Sequence, residues 1–70
     1  MITIPRPGDR IRLLSMRNDP DPIPVGQTGT VVAVRHCQQR WLQIDVAWDS
    51  GRTLMLVTPP DRYEVVADSN

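Results

Sequence analysis

Residues 41–58, WLQIDVAWDSGRTLMLVT, carry the clearest periodicity in the chain. Leu42, Ile44, Val46 and Trp48 fall on one side of an extended segment, and Trp41, Gln43, Asp45 and Ala47 on the other. A period of two marks a half-buried β-strand. Asp49-Ser50-Gly51 interrupts it with turn chemistry, since aspartate bonds its own backbone and glycine tolerates positive φ. Residues 52–58 resume as a second strand with Leu54 and Leu56 inward, and Pro59-Pro60-Asp61 breaks it. The stretch reads as a hairpin.

The same signal recurs on both sides. Residues 8–16, GDRIRLLSM, alternate with Ile11 and Leu13 inward and Arg10 and Arg12 outward. Residues 28–35, TGTVVAVR, are rich in the β-branched residues that suit a pleated surface. Val31, Val32 and Val34 cannot all face one way, and a β-bulge near Val32-Ala33 reconciles them. A last short strand over residues 63–66 places Tyr63 and Val65 on one face. No window shows helical periodicity, and seven prolines are scattered through the chain.

Five short strands predict an all-β domain, a small five-stranded antiparallel barrel. The connections run long loop, medium loop, tight hairpin, short break, which is the loop order of SH3-like barrels. Barrel closure would also hide the sheet edges. The expected core is Ile11, Leu13, Val31, Val34, Leu42, Ile44, Val46, Leu54, Leu56 and Val65, with Trp48 and Tyr63 sealing the ends. Seventy residues allow one core only. The expected division is an N-terminal extension over 1–7, the barrel over 8–66 and a disordered tail over 67–70.

Eight arginines balance seven aspartates and one glutamate, with no lysine. Zero net charge weakens the case for a generic nucleic-acid binder, which gains affinity by neutralising phosphates. Cys37 is the only cysteine, so an internal disulfide and a cysteine-based zinc site are excluded. A lone thiol fits a reducing compartment, and no stretch has the length of a membrane span. These features predict a soluble cytoplasmic protein with no membrane contact.

Residues 17–31, RNDPDPIPVGQTGTV, invite several functional readings. Pro20, Pro22 and Pro24 recur at period two, which removes donors along one edge and does not fit PxxP. The expectation is a stiff loop packing Ile23 and Val25 over the barrel end. Asp19 and Asp21 fail as a calcium loop, because the sixth and twelfth positions are Pro24 and Thr30. Gly26-x-x-Gly29 lies between strands and no lysine follows it, which fits neither a KH loop nor a P-loop. It reads as a turn with positive φ at one or both glycines. His36 and Cys37 point to opposite sides of an extended segment, with no third group to orient a catalytic pair. No catalytic, cofactor or metal site is expected, and the chain reads as a non-enzyme.

Two surfaces remain. Trp41, if exposed beside His36 and Arg40, is the best candidate hot spot for a protein partner. Arg10 and Arg12 share an outward face, and with Arg35 or Arg40 they could form a basic stripe for phosphate. The alternative for these arginines is a solvated face paired with Asp45 and other acids. The functional expectation is a non-enzymatic module binding a protein partner, with RNA or DNA binding through the arginine stripe as the alternative.

The succession GDRIRLLSM, DPDPIPVGQTGTVVAV, IDVAWDSGRTLML and DRYEVV resembles a family of small bacterial and phage proteins grouped as a domain of unknown function. Its pattern is a glycine, an arginine-containing strand ending Leu-x-x-Met, Asp-Pro, Pro-x-Gly-x-x-Gly-x-Val, and Val-x-Trp-Asp-x-Gly before a leucine-rich strand. The match spans residues 8–66 and implies the fold, with no activity attached. A wider likeness is to KOW-type barrels, through Gly8-Asp9 opening a strand and Gly26-x-x-Gly29-x-Val31 following a loop. In those barrels this region contacts RNA or a protein partner.

Overall fold

The computed structural model describes residues 4–17, 19–37 and 41–66. They form five strands and, among the described residues, no helix: β1 (Arg10–Ser15), β2 (Thr28–Cys37), β3 (Trp41–Trp48), β4 (Leu56–Thr58) and β5 (Arg62–Val66). All pairings are antiparallel within one sheet of order β4-β3-β2-β1-β5. The expected small five-stranded antiparallel fold is what the chain adopts. The ten-residue β2 is its spine, pairing with β1 through Thr28–Thr30 and with β3 from Gly29 to Cys37.

The valine conflict in β2 resolves as the periodicity demands. Register passes from Val31↔Val46 to Ala33↔Asp45, leaving Val32 as the extra residue of a bulge. Val31 is buried, Val34 packs on the core, and Val32 is left 58% exposed.

Ile11, Leu13, Met16, Ile23, Val31, Ile44, Val46, Trp48 and Leu56 form the buried core, with Val34, Leu42, Leu54 and Tyr63 packed against it. Three expectations need correction. Val65 pairs with Ile11 but lies on β5, which has a neighbour on one side only, and it is 40% exposed. Val25 is 70% exposed, because it sits at the apex of the turn in which the Gln27 N–H donates to the Pro24 carbonyl. The strand expected from residue 52 starts only at Leu56. Trp48 is buried, and its indole N–H donates to the Leu54 carbonyl at 2.8 Å, so that carbonyl leaves the ladder. A single bridge, Ala47↔Thr53, joins the hairpin between its turn and β4.

The proline-rich loop is fixed by several independent contacts. Ile23 is fully buried, and its N–H donates to the Met16 sulfur at 3.4 Å. Leu13 and residues 26–27 exchange backbone bonds of 2.9 Å. Arg52, across the sheet in the hairpin, donates to the carbonyls of Asp21 at 2.8 Å and Pro22 at 3.3 Å. The two loop glycines do different work. Gly26 has φ 94°, whereas Gly29 lets β2 approach β3 closely: a Cβ there would meet Val46 at 2.7 Å and the Ala47 carbonyl at 2.9 Å.

Among the described residues no ladder joins β4 to β5, so the sheet keeps two edges. At β4 the edge is covered locally. The Val57 N–H donates to Asp61 Oδ2 and the Val57 carbonyl accepts the Asp61 N–H, both at 2.9 Å. Those two backbone groups are closed to an incoming strand. Pro5 is fully buried, and the Gly8 N–H donates to the Val31 carbonyl at 2.8 Å. The expected tail over 67–70 lies outside the described residues.

Candidate functional site

The alternation of β3 puts Trp41, Gln43, Asp45 and Ala47 on the sheet face away from the core. On the neighbouring β2, Arg35 stands opposite Gln43 and Ala33 opposite Asp45. Val32, Asp45, Val46, Ala47, Thr53 and Met55 line a groove of about 300 Å³ on this face. Val32 is there because of the bulge. Met55, 46% exposed, is there because Leu54 and Leu56 turn inward on either side of it. A second depression of about 340 Å³, which also has Met55 as a wall, is lined by Asp19, Leu54, Val57, Pro60 and Asp61.

Asp45 is the charged element of the groove, and Thr53 adds a hydroxyl. Its Oδ1 is buried and, among the described residues, meets no donor, and the Asp45 Oδ2 stands 3.6 Å from Arg35 Nη2, beyond hydrogen-bonding distance. Arg35 itself is largely solvent-exposed.

The arginines on β1 have tighter partners. Arg10 forks onto Asp49 with bonds of 2.8 and 2.5 Å and also donates to Thr30 Oγ1 at 2.9 Å. The Thr28 hydroxyl donates to Asp49 Oδ2 at 2.6 Å, and the Asp49 N–H donates to the Thr28 carbonyl. Hydrogen bonds from Arg10 and then Thr28 hold the Asp49 carboxyl far below the usual carboxylate range. Arg12 pairs with its cross-strand neighbour Glu64 at 3.1 Å. A row of paired residues, Arg10, Thr30, Ala47 and Thr53, runs from this network across the sheet to the groove.

The six residues singled out from sequence thus divide. Trp41, half-buried, and Arg35 share the outward face of β2 and β3; Arg10 and Arg12 share that of β1. His36 is exposed and stands opposite Leu42, on the other parity from Trp41. Arg40 lies outside the described residues. Arg10, Arg12 and Arg35 each lie beside a carboxylate. Among the described residues, no group of three or more His, Cys, Asp or Glu is placed to hold a metal ion, and no helix is long and apolar enough to cross a membrane.

Sequence reasoning missed the groove itself. Its signal was present as an outward Met55 between two inward leucines and as the bulged Val32. The clamp from Arg52 to residues 21–22 joins positions too distant for any local pattern to reveal.

The family described as Domain of unknown function (DUF4314) matches the chain over residues 5–66. The chain belongs to this family. The match covers every described strand and begins at the buried Pro5. No curated protein and no solved structure matches the chain. The family's description names no activity, and the groove and the paired arginines are what remain to read.

Proposed function

We propose that this domain is a non-enzymatic interaction module that binds a protein partner through the outward face of β2, β3 and the segment leading to β4. The observation that carries this reading is the groove between Val32 and Met55. Two sizeable apolar side chains stand exposed on its walls and take no part in the core. Single exposed apolar residues are ordinary, whereas apolar residues gathered round one concavity mark an interaction surface. Trp41 extends the same face and supplies the kind of side chain that dominates interface energetics.

The pairing of the arginines supports a protein over a phosphate polymer. Phosphate binding through Arg10 and Arg12 would have to displace Asp49 and Glu64, which they hold by hydrogen-bonded ion pairs.

The test is affinity capture with the full chain, Val32→Asp, Met55→Asp and the control Val25→Asp, whose site in the proline-rich loop is exposed and lines neither concavity. A partner retained by the full chain and by the control, and lost by both groove variants, supports the reading. Identical capture by all four proteins overturns it. Salt-sensitive, micromolar binding of labelled RNA or duplex DNA, abolished by Arg10→Gln, would establish the nucleic-acid alternative instead.

A further inference from the structure

Resting on that interaction reading, we propose that the groove accepts an extended segment of a partner protein that presents an arginine or lysine between apolar residues. The groove offers apolar walls, Val32, Ala47 and Met55, around one carboxylate. That carboxylate is incompletely satisfied: among the described residues Oδ1 of Asp45 has no donor, and Oδ2 has only the long contact to Arg35. Buried polar atoms in folded proteins normally have partners, so burial of Oδ1 without one leaves the negative charge under-compensated and raises the gain from a cation at Oδ2.

Charge complementarity selects the occupant. None of the described residues lining the groove, or the depression beyond Met55, carries a positive charge, and the second depression adds Asp19 and Asp61 to apolar Leu54, Val57 and Pro60. An acidic segment or a nucleic-acid backbone would bring like charge onto these carboxylates. A purely apolar ligand would cover the carboxylate without compensating its charge. A long cationic side chain meets both demands, laying its methylene stem along Val32 and Met55 and its donors on Asp45 Oδ2, the oxygen that Arg35 approaches. The volume, at the bottom of the roughly 300–1,000 Å³ range of small-molecule pockets, suits one such side chain. Met55 forms a wall of both concavities and can adapt to the stem. Arg35, exposed and held only at 3.6 Å, acts as the internal competitor that the partner's cation displaces.

The experiment is a titration of the ¹⁵N-labelled full chain, followed by amide shifts, with the pentapeptide amide Ac-Ala-Val-Arg-Val-Ala and its Gln and Glu counterparts. The arginine peptide should shift amides at Val32, Asp45, Ala47, Thr53 and Met55, binding at least five-fold more tightly than the glutamine peptide. Asp45→Asn should remove that preference while leaving the rest of the spectrum in place. Arg35→Met should tighten the arginine peptide several-fold by removing the competitor, a gain that a merely structural Asp45 would not produce. Equal binding of all three peptides, shifts confined to another surface, or an arginine preference that survives Asp45→Asn would each overturn the proposal. If the groove variants lose a captured partner while the arginine peptide leaves the spectrum unchanged, the interaction reading stands and the cationic occupant is rejected. If capture is indifferent to Val32→Asp and Met55→Asp, the interaction reading itself fails.

Discussion

Replacing Ile23 by alanine strips the branched tip from a side chain that is 1% exposed, in a loop with no regular secondary structure. About three carbon groups at roughly 0.8 kcal/mol each give a transfer loss of about 2.4 kcal/mol. The space left beneath the loop adds to this, because Arg52 and the bonds between Leu13 and residues 26–27 hold the loop in place and limit collapse. The expected destabilisation is about 2.5–4 kcal/mol. A chain of this length has a total stability of roughly 3.5–10 kcal/mol, so the variant should lose a large fraction of it. Val25→Ala, two residues away at a site 70% exposed, should stay within about 0.5 kcal/mol of the parent. Urea unfolding followed by tryptophan fluorescence reads both, since Trp48 is buried in the same core. The expected result is a midpoint shift for Ile23→Ala with an unchanged slope. A loss below about 1 kcal/mol, or one matching that of Val25→Ala, would show that the proline-rich loop is not a structural plug and would refute the reasoning.

Gly29→Ala should destabilise by about 1–3 kcal/mol, because its Cβ would press on Val46 and on the backbone of β3; thermal unfolding checks this. Arg52→Met should raise hydrogen exchange and proteolysis within residues 19–25 while changing global stability by less than about 1 kcal/mol, as expected for an exposed clamp. Asp49 should contribute to acid sensitivity. Its carboxyl is depressed in the folded state, so the unfolded chain binds the proton first. The contribution is therefore full above the ordinary carboxylate value of 3.8 and fades as pH falls through the folded one. Melting temperatures measured from about pH 5 down to about pH 2 should fall less steeply for Asp49→Asn than for the parent.

The fold was legible where its causes are local. The alternation of Leu42, Ile44, Val46 and Trp48 fixed β3 and its buried face, and three valines that could not share a side located the bulge. Local pattern failed where the cause lies elsewhere in the chain. Val65 has the parity of a core residue, but only the strand order reveals that β5 is an edge. Leu54 has the spacing of a ladder residue, but the Trp48 indole claims its carbonyl. The candidate surface was legible only in pieces. Trp41 was placed opposite Leu42, and Arg10 and Arg12 on an outward face, while the pairing of Arg10 with Asp49 spans 39 positions and depends on the finished sheet. Asp45 was visible as a partner for the arginines, and its unsatisfied oxygen was not, because burial of a single atom is a property of packing.

The extra residue in β2 stands outside the alternation that builds the core. The side chain at position 32 points to solvent, so the core does not depend on which residue stands there. Nor does the facing of the strand depend on it: with position 32 removed, Val31 and Val34 would lie two apart and share the inward side, and Ala33 and Arg35 would stay outward opposite Asp45 and Gln43. Deletion would take away the local bend and the exposed valine, and leave the ladder regular. Because one wall of the groove is built on that spacer residue, the groove can be rewritten there without disturbing the architecture that presents it.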